Sequence, residues 1–135
     1  MKYILDTDTL IYFLKGHENV VKRVASVSRD ELGTTIINHA ELLFGAFNSQ
    51  RKKQNLLKAK SFLENILIMP FCQESSYIFA ENKALLKKRG NIVADLDLMI
   101  ASIALRNKSI LITNNTKHFN RIKKLKIENW THALV

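Results

Sequence analysis

Asp6, Glu41 and Asp97 are carboxylates set inside or beside otherwise apolar stretches, and Asn115 follows a further apolar stretch; Asp8 and Asp95 accompany two of them. Acids are scarce in this chain, 12 against 21 basic residues, so their placement in apolar company is a signal in itself. An unpaired buried charge is costly, and carboxylates crowded together repel and take up protons unless a cation holds them. The ligand atoms on offer are oxygens, with no Cys or His cluster beside them. Such a set suits a hard divalent ion, Mg²⁺ or Mn²⁺, far better than zinc. In a protein of net charge +9, a metal held by acids implies hydrolysis of a phosphodiester: activation of water, orientation of the phosphate and stabilisation of developing charge.

The elements that must position these groups follow from hydropathy. Met1 to Leu5 reads as a short strand, and Asp6 stands at its end just before Leu10, Ile11, Phe13 and Leu14 recur at helical spacing. Parallel sheets place ligand sites at that kind of position, although Asp6, Thr7 and Asp8 equally suit helix capping. Gly16 is a natural stop, and a second helix runs from about Glu18 to Val27. Leu32 to Ile37 is β-branched and apolar and reads as a buried strand, after which Asn38 opens a helix carrying Glu41. The offset from Asn38 to Glu41 also fits a capping box, and Gly45, one turn after Glu41, leaves space beside the carboxylate. A helix over Arg51 to Asn65, a strand over Ile66 to Phe71 and a helix over Glu74 to Arg89, closed by Gly90, come next. From Leu96 to Leu105 nearly every position is apolar or small, which predicts a helix buried on most sides, with Asp95 as its cap and Asp97 in its first turn needing a partner. Ser109 to Thr113 reads as a strand, Thr116 to Ile122 as a short helix and Ile127 to Trp130 as a last strand. Strands alternating with helices predict an α/β fold, a central parallel β-sheet flanked by α-helices on both faces.

At 135 residues and 47% hydrophobic content the chain has the size of one domain with a proper core. The longest apolar run, Ile66 to Cys72, is too short to cross a bilayer, and Asp6 interrupts the N-terminus before any signal-like region forms, so a soluble, cytoplasmic protein is expected. Cys72 stands alone in that run and reads as a buried thiol. Basic residues gather at Arg51 to Lys53, Lys87 to Arg89 and along Arg121 to Lys126, an excess that suits a polyanionic partner.

The segments LDTDTLIYFL, NHAELLFG, ADLDLMIASIAL and ILITNNTKHF resemble the four motifs of the PIN domain, and specifically those of the VapC toxin branch of bacterial toxin–antitoxin pairs. Each is weak alone; the four occur in order, with the expected gaps, over nearly the whole chain. The resemblance implies one PIN-like domain over residues 1–135 and a Mg²⁺-dependent endoribonuclease, with Mn²⁺ able to substitute. It makes Asp6, Glu41 and Asp97 the metal-binding acidic triad. Asn115 falls where many members place a fourth acid; an amide brings no charge, so one resting ion is expected. Thr113 and Asn114 position water or substrate, and Asp8 and Asp95 are second-tier candidates. The resemblance further implies an RNA substrate, a VapB-type antitoxin, a homodimer, a toxin–antitoxin hetero-oligomer, and contact with DNA only through the antitoxin; no membrane is involved. His39, near Glu41, reads as a structural hydrogen-bonder, and His17, His118 and His132 suggest no shared role.

Two other readings compete. Asp6-Thr7-Asp8-Thr9 and the strand ending at Thr113 also imitate a haloacid-dehalogenase-type phosphatase. That chemistry needs further acids late in the chain, where only Glu128 follows Thr113, and it leaves Glu41 without a role. A non-catalytic nucleic-acid-binding module would use the basic surface but has no use for acids that repel phosphate, and no recognition-helix, RRM or KH pattern is present.

Overall fold

A computed structural model of the chain describes residues 2–133. The described residues run β1 (Tyr3–Leu5), α1 (Thr7–Leu14), α2 (Glu18–Ser26), a 3-10 turn (Arg29–Glu31), β2 (Leu32–Thr35), α3 (Ile36–Phe47), α4 (Lys52–Leu63), β3 (Leu67–Met69), α5 (Gln73–Lys88), α6 (Asp95–Arg106), β4 (Ile110–Ile112), α7 (Thr116–Phe119) and β5 (Lys126–Glu128). Met1, expected at the head of β1, lies outside the described residues. The strands form one parallel sheet in the order β3-β2-β1-β4-β5.

Side-chain alternation along these short strands feeds two cores. Ile4 and Leu111 pack on one face with Leu98, Ile100, Ile103 and Phe119 from α6 and α7; Leu5 and Ile112 pack on the other with Leu10, Val20, Leu42 and Leu63 from α1 to α4. With both faces covered, the sheet is the α/β arrangement expected from the sequence. The chain leaves β1 towards β2 and β3 on one side and returns to β4 and β5 on the other. The strand order therefore reverses at β1 and β4, where open parallel sheets leave a crevice beyond their carboxyl ends.

Two glycines end helices as expected. Gly16 (φ +79°) and Gly90 (φ +66°) take the left-handed conformation, and the bonds from His17 N to Tyr12 O and from Asn91 N to Leu86 O, both 2.9 Å, complete Schellman-type ends of α1 and α5.

Other boundaries differ from the sequence reading. β2 stops at Thr35 and α3 begins at Ile36 rather than at Asn38, because the Thr35 side chain accepts hydrogen bonds from the amides of Ile37 and Asn38, both at 3.1 Å. This cap outweighs the strand preference of Ile36 and Ile37, and Asn38 is a fully buried helix residue instead of a cap. Asp95 does not cap α6: Ala94 holds that position, and Asp95 is an exposed partner of Lys83 Nζ at 3.0 Å. Cys72 is half-buried at the head of α5 rather than buried, and Ser75, at 3.4 Å, helps to hold its thiol below the usual range. Among the described residues no helix is long and apolar enough to cross a membrane.

Candidate active site

Asp6 follows β1 directly, at the reversal of strand order, with its backbone amide bonded to Ile112 O of β4 at 2.9 Å. Asp6 as a residue is 7% exposed. Oδ1 accepts from Thr7 N and from Asn38 Nδ2, both at 2.9 Å, and Oδ2 accepts from Thr113 Oγ1 at 2.7 Å. Burial, and after it the charge of Asp8, pushes the Asp6 pKa up to about 6 against these three bonds. Asp6 thus caps α1 and is also a desolvated carboxylate just beyond β1.

Glu41 joins Asp6 through two residues that the sequence did not single out for the site. Asn38 Nδ2 also lies 2.9 Å from Thr7 Oγ1, and Thr7 Oγ1 donates to Glu41 Oε1 at 2.6 Å. Asn38 is oriented in turn by Thr35 Oγ1, which donates to its Oδ1 at 2.7 Å. Donors along Thr35, Asn38 and Thr7 all point towards the two carboxylates. Gly45 has nothing within 4 Å of where a Cβ would stand, so the space expected one turn beyond Glu41 is open.

Asp8 is half-buried beside Asp6. Its Oδ2 accepts from Asn114 N at 3.0 Å and lies 3.4 Å from Thr113 Oγ1. Thr113 is fully buried, and its hydroxyl is engaged by Asp6 and by Asn115 N at 3.0 Å. It therefore orients a carboxylate, where the sequence reading had it positioning water or substrate. Asn114 Oδ1 accepts from Asn129 Nδ2 at 3.0 Å.

Asp97 stands apart from this network, half-buried in the first turn of α6, with Oδ2 2.9 Å from His118 Nε2 of α7. The contact is close but out of line with the ring N–H, so Nε2, which is shielded from solvent, makes no aligned hydrogen bond. Asn115 is exposed at the head of α7, and its side chain does not cap the helix. His39 lines a shallow cleft with Leu43, Lys60, Leu63 and Glu64.

Asp6, Asp8 and Glu41 are thus linked through Thr7, Asn38 and Thr113, while the partner of Asp97 is His118. Among the described residues no three His, Cys, Asp or Glu side chains are grouped so as to hold a metal ion. Carboxylates brought near one another repel and take up protons unless a cation holds them.

The family model of the PIN domain matches residues 3–125. The chain belongs to the PIN-domain family. Within it, ribonuclease VapC2 of Rickettsia felis is 33% identical over 134 residues, covering 96% of this chain and 98% of the relative. Ribonuclease VapC1 of Haemophilus influenzae (strain R2866) is 33% identical, covering 97% and 99%. Among solved structures, VapBC2 of Rickettsia felis bound to a DNA fragment from its promoter superposes with a TM-score of 0.89 at 32% identity, covering 96% of this chain and 99% of that one. VapBC-1 of nontypeable Haemophilus influenzae gives 0.88 at 33%, covering 98% and 100%. These relatives put this PIN domain in the VapC branch, as the four sequence motifs implied.

Proposed function

We propose that this PIN domain, as one domain over residues 1–135, is the toxin of a VapBC pair: a Mg²⁺-dependent endoribonuclease that cuts RNA phosphodiester bonds and is blocked by a cognate VapB-type antitoxin. The observation that carries the reading is a buried carboxylate, Asp6, at the reversal of a parallel sheet, tied through Asn38 and Thr7 to Glu41. The donor set fits a hard divalent cation. Its ligand atoms are carboxylate oxygens, and the pKa of about 6 at Asp6 marks negative charge that lacks compensation. Asp6, Glu41 and Asp97 would hold Mg²⁺, with Mn²⁺ able to substitute, and Asn115 occupies the fourth position without adding charge. When bound, such an ion supplies activation of water and stabilisation of the charge that develops on the phosphate.

The remaining roles belong to the chain. Asn38 and Thr113 fix Asp6 through both of its oxygens, and Thr7 fixes Glu41, so the carboxylates are held before substrate arrives. Exposed Asn114 and Asn115 lie where they can touch RNA. The net charge of +9 draws a polyanion from solution.

Relatives suggest the assembly. The Rickettsia felis structure is a VapBC2 complex on promoter DNA, which supports a toxin–antitoxin hetero-oligomer; in our reading the toxin is a homodimer within it, works in the cytoplasm and meets DNA only through its antitoxin. A Shigella flexneri relative, 28% identical, is named a tRNA(fMet)-specific endonuclease, which supports a structured RNA as substrate.

The test is cleavage of structured RNA by the antitoxin-free chain in Mg²⁺ and then in EDTA, beside Asp97→Ala. Cleavage that needs the ion and is lost in folded Asp97→Ala is the expected result. RNA binding without cleavage under any divalent ion would establish a binding module instead, and full activity of folded Asp97→Ala would overturn the assignment of that residue.

A further inference from the structure

Asp97 needs something to hold it, and no lysine or arginine among the described residues forms an ion pair with it. Its neighbour Asp95 faces the other way, towards Lys83 on α5. The group that meets Asp97 is His118 Nε2, 2.9 Å from Oδ2. The imidazole is itself well anchored. It packs edge-on to Phe119 with ring centroids 5.7 Å apart, and Phe119 is fully buried in the core that α6 builds with Leu98 and Ile103. Nε2 is shielded from solvent and has no aligned partner elsewhere. A buried ring nitrogen of this kind, pressed against a carboxylate oxygen, has one group to act on.

The position of His118 in the chain gives that contact its meaning. Thr113, at the end of β4, holds Oδ2 of Asp6 at 2.7 Å, and five residues later His118 meets Oδ2 of Asp97. A single short segment, Thr113 to His118, thus meets one oxygen of each of two acids delivered by different elements, β1 and α6. The geometry points to His118 as a positioning residue: it holds one oxygen of Asp97 and leaves the other for a cation, while Thr113, in the same segment, holds Oδ2 of Asp6, whose Oδ1 accepts from Thr7 N and Asn38 Nδ2. Partners that orient a ligating carboxylate commonly change metal affinity 10- to 100-fold when removed.

The inference rests on the reading of Asp97 as a metal ligand, and the experiment separates the two. Mn²⁺ is titrated calorimetrically into the antitoxin-free chain and into His118→Gln, His118→Leu and Asp97→Asn, each with its urea midpoint. In Gln the side-chain amide nitrogen falls near the place of Nε2, so His118→Gln keeps Mn²⁺ affinity within about 3-fold, whereas His118→Leu loses about 10- to 100-fold. In RNA cleavage, His118→Leu needs more Mn²⁺ for half-maximal rate and regains most of its kcat at saturating ion. His118→Asn, whose shorter amide cannot reach Oδ2, replaces the leucine variant if that one unfolds. His118→Leu binding Mn²⁺ as tightly as the parent, with Asp97→Asn weakened, would leave Asp97 a ligand and His118 a core residue only. Equal losses in His118→Gln and His118→Leu would likewise overturn the inference, because the polar contact would not be their cause. Asp97→Asn binding Mn²⁺ like the parent would remove the ligand reading and this inference with it.

Discussion

Replacing Asp6 by asparagine should make the metal-free protein more stable, even though it removes the proposed central ligand. Burial and the neighbouring Asp8 raise the Asp6 pKa from 3.8 to about 6 in the folded chain. A shift of about 2 units corresponds to roughly 3 kcal/mol, at 1.36 kcal/mol per unit, by which ionised Asp6 disfavours the fold at neutral pH. Because the folded pKa lies above the unfolded one, the native state binds more protons between these values. Stability is then full below about pH 4 and is lost as pH rises through about 6. Asparagine fits the same place. Its oxygen keeps the bonds from Thr7 N and Asn38 Nδ2, and its amide faces Thr113 Oγ1, which has a lone pair to accept it and can turn its proton towards Asp8, 3.4 Å away.

The assay is urea unfolding in EDTA across pH. Asp6→Asn should exceed the parent by up to about 3 kcal/mol at pH 7.5, and the gap should close on acidification to about pH 4. Added Mn²⁺ should raise the parent's midpoint and leave the variant's unchanged, since only a state that binds the ion gains from it. A variant no more stable than the parent at pH 7.5, or a gap that persists at low pH, would refute the claim that desolvated charge is stored at Asp6.

Other substitutions probe the surrounding network. Asn38→Ala strips donors from Asp6 and Thr7 and leaves the Thr35 hydroxyl without its acceptor, all in a fully buried position; it should lower the unfolding free energy by about 2 to 3 kcal/mol and also reduce cleavage, read by urea midpoints and RNA turnover. Thr113→Val removes a bond that lowers the Asp6 pKa, so carboxyl titration followed by NMR should find that pKa higher still, and an unmoved value would exclude the bond as a cause. Asn115→Asp restores a fourth carboxylate and should tighten Mn²⁺ binding in calorimetry; unchanged or weaker affinity counts against placing this residue at the site.

The sequence reading succeeded where one residue and its neighbours along the chain carry the signal. A carboxylate closing an apolar strand placed Asp6 between β1 and α1, and an apolar helix with an acid at its head placed Asp97 in the first turn of α6. It failed where the deciding partner is distant in sequence. Asn38 looked like a helix cap because an Asn followed three residues on by Glu fits one, yet its amide bonds to Asp6, 32 residues away, and Thr35 does the capping. His118 carried no local sign, since its partner sits on another helix. Asp95 and Asp97 looked alike, both acids at the head of an apolar helix. Two steps of 100° set them on opposite sides, one towards solvent and Lys83, the other towards α7.

The distribution of charge sets a condition that any mechanism for this fold must meet. A chain of net charge +9 attracts RNA from a distance, but the edge where β1 and β4 end presents Asp6 and Asp8 side by side, with Glu41 one threonine away. Long-range attraction and local repulsion therefore act on the same phosphate, and attraction alone would hold the backbone on the lysine-rich faces, away from the acids. Hydrogen bonds from Asn38, Thr7 and Thr113 orient these carboxylates without neutralising them, which is why the Asp6 pKa remains raised although three donors surround it. Only added positive charge at that edge reverses the local sign. The same addition would lower the Asp6 pKa and offset the penalty stored in its burial, so metal affinity, the pH dependence of stability and access of phosphate to the site should all change together when any one of these carboxylates is removed.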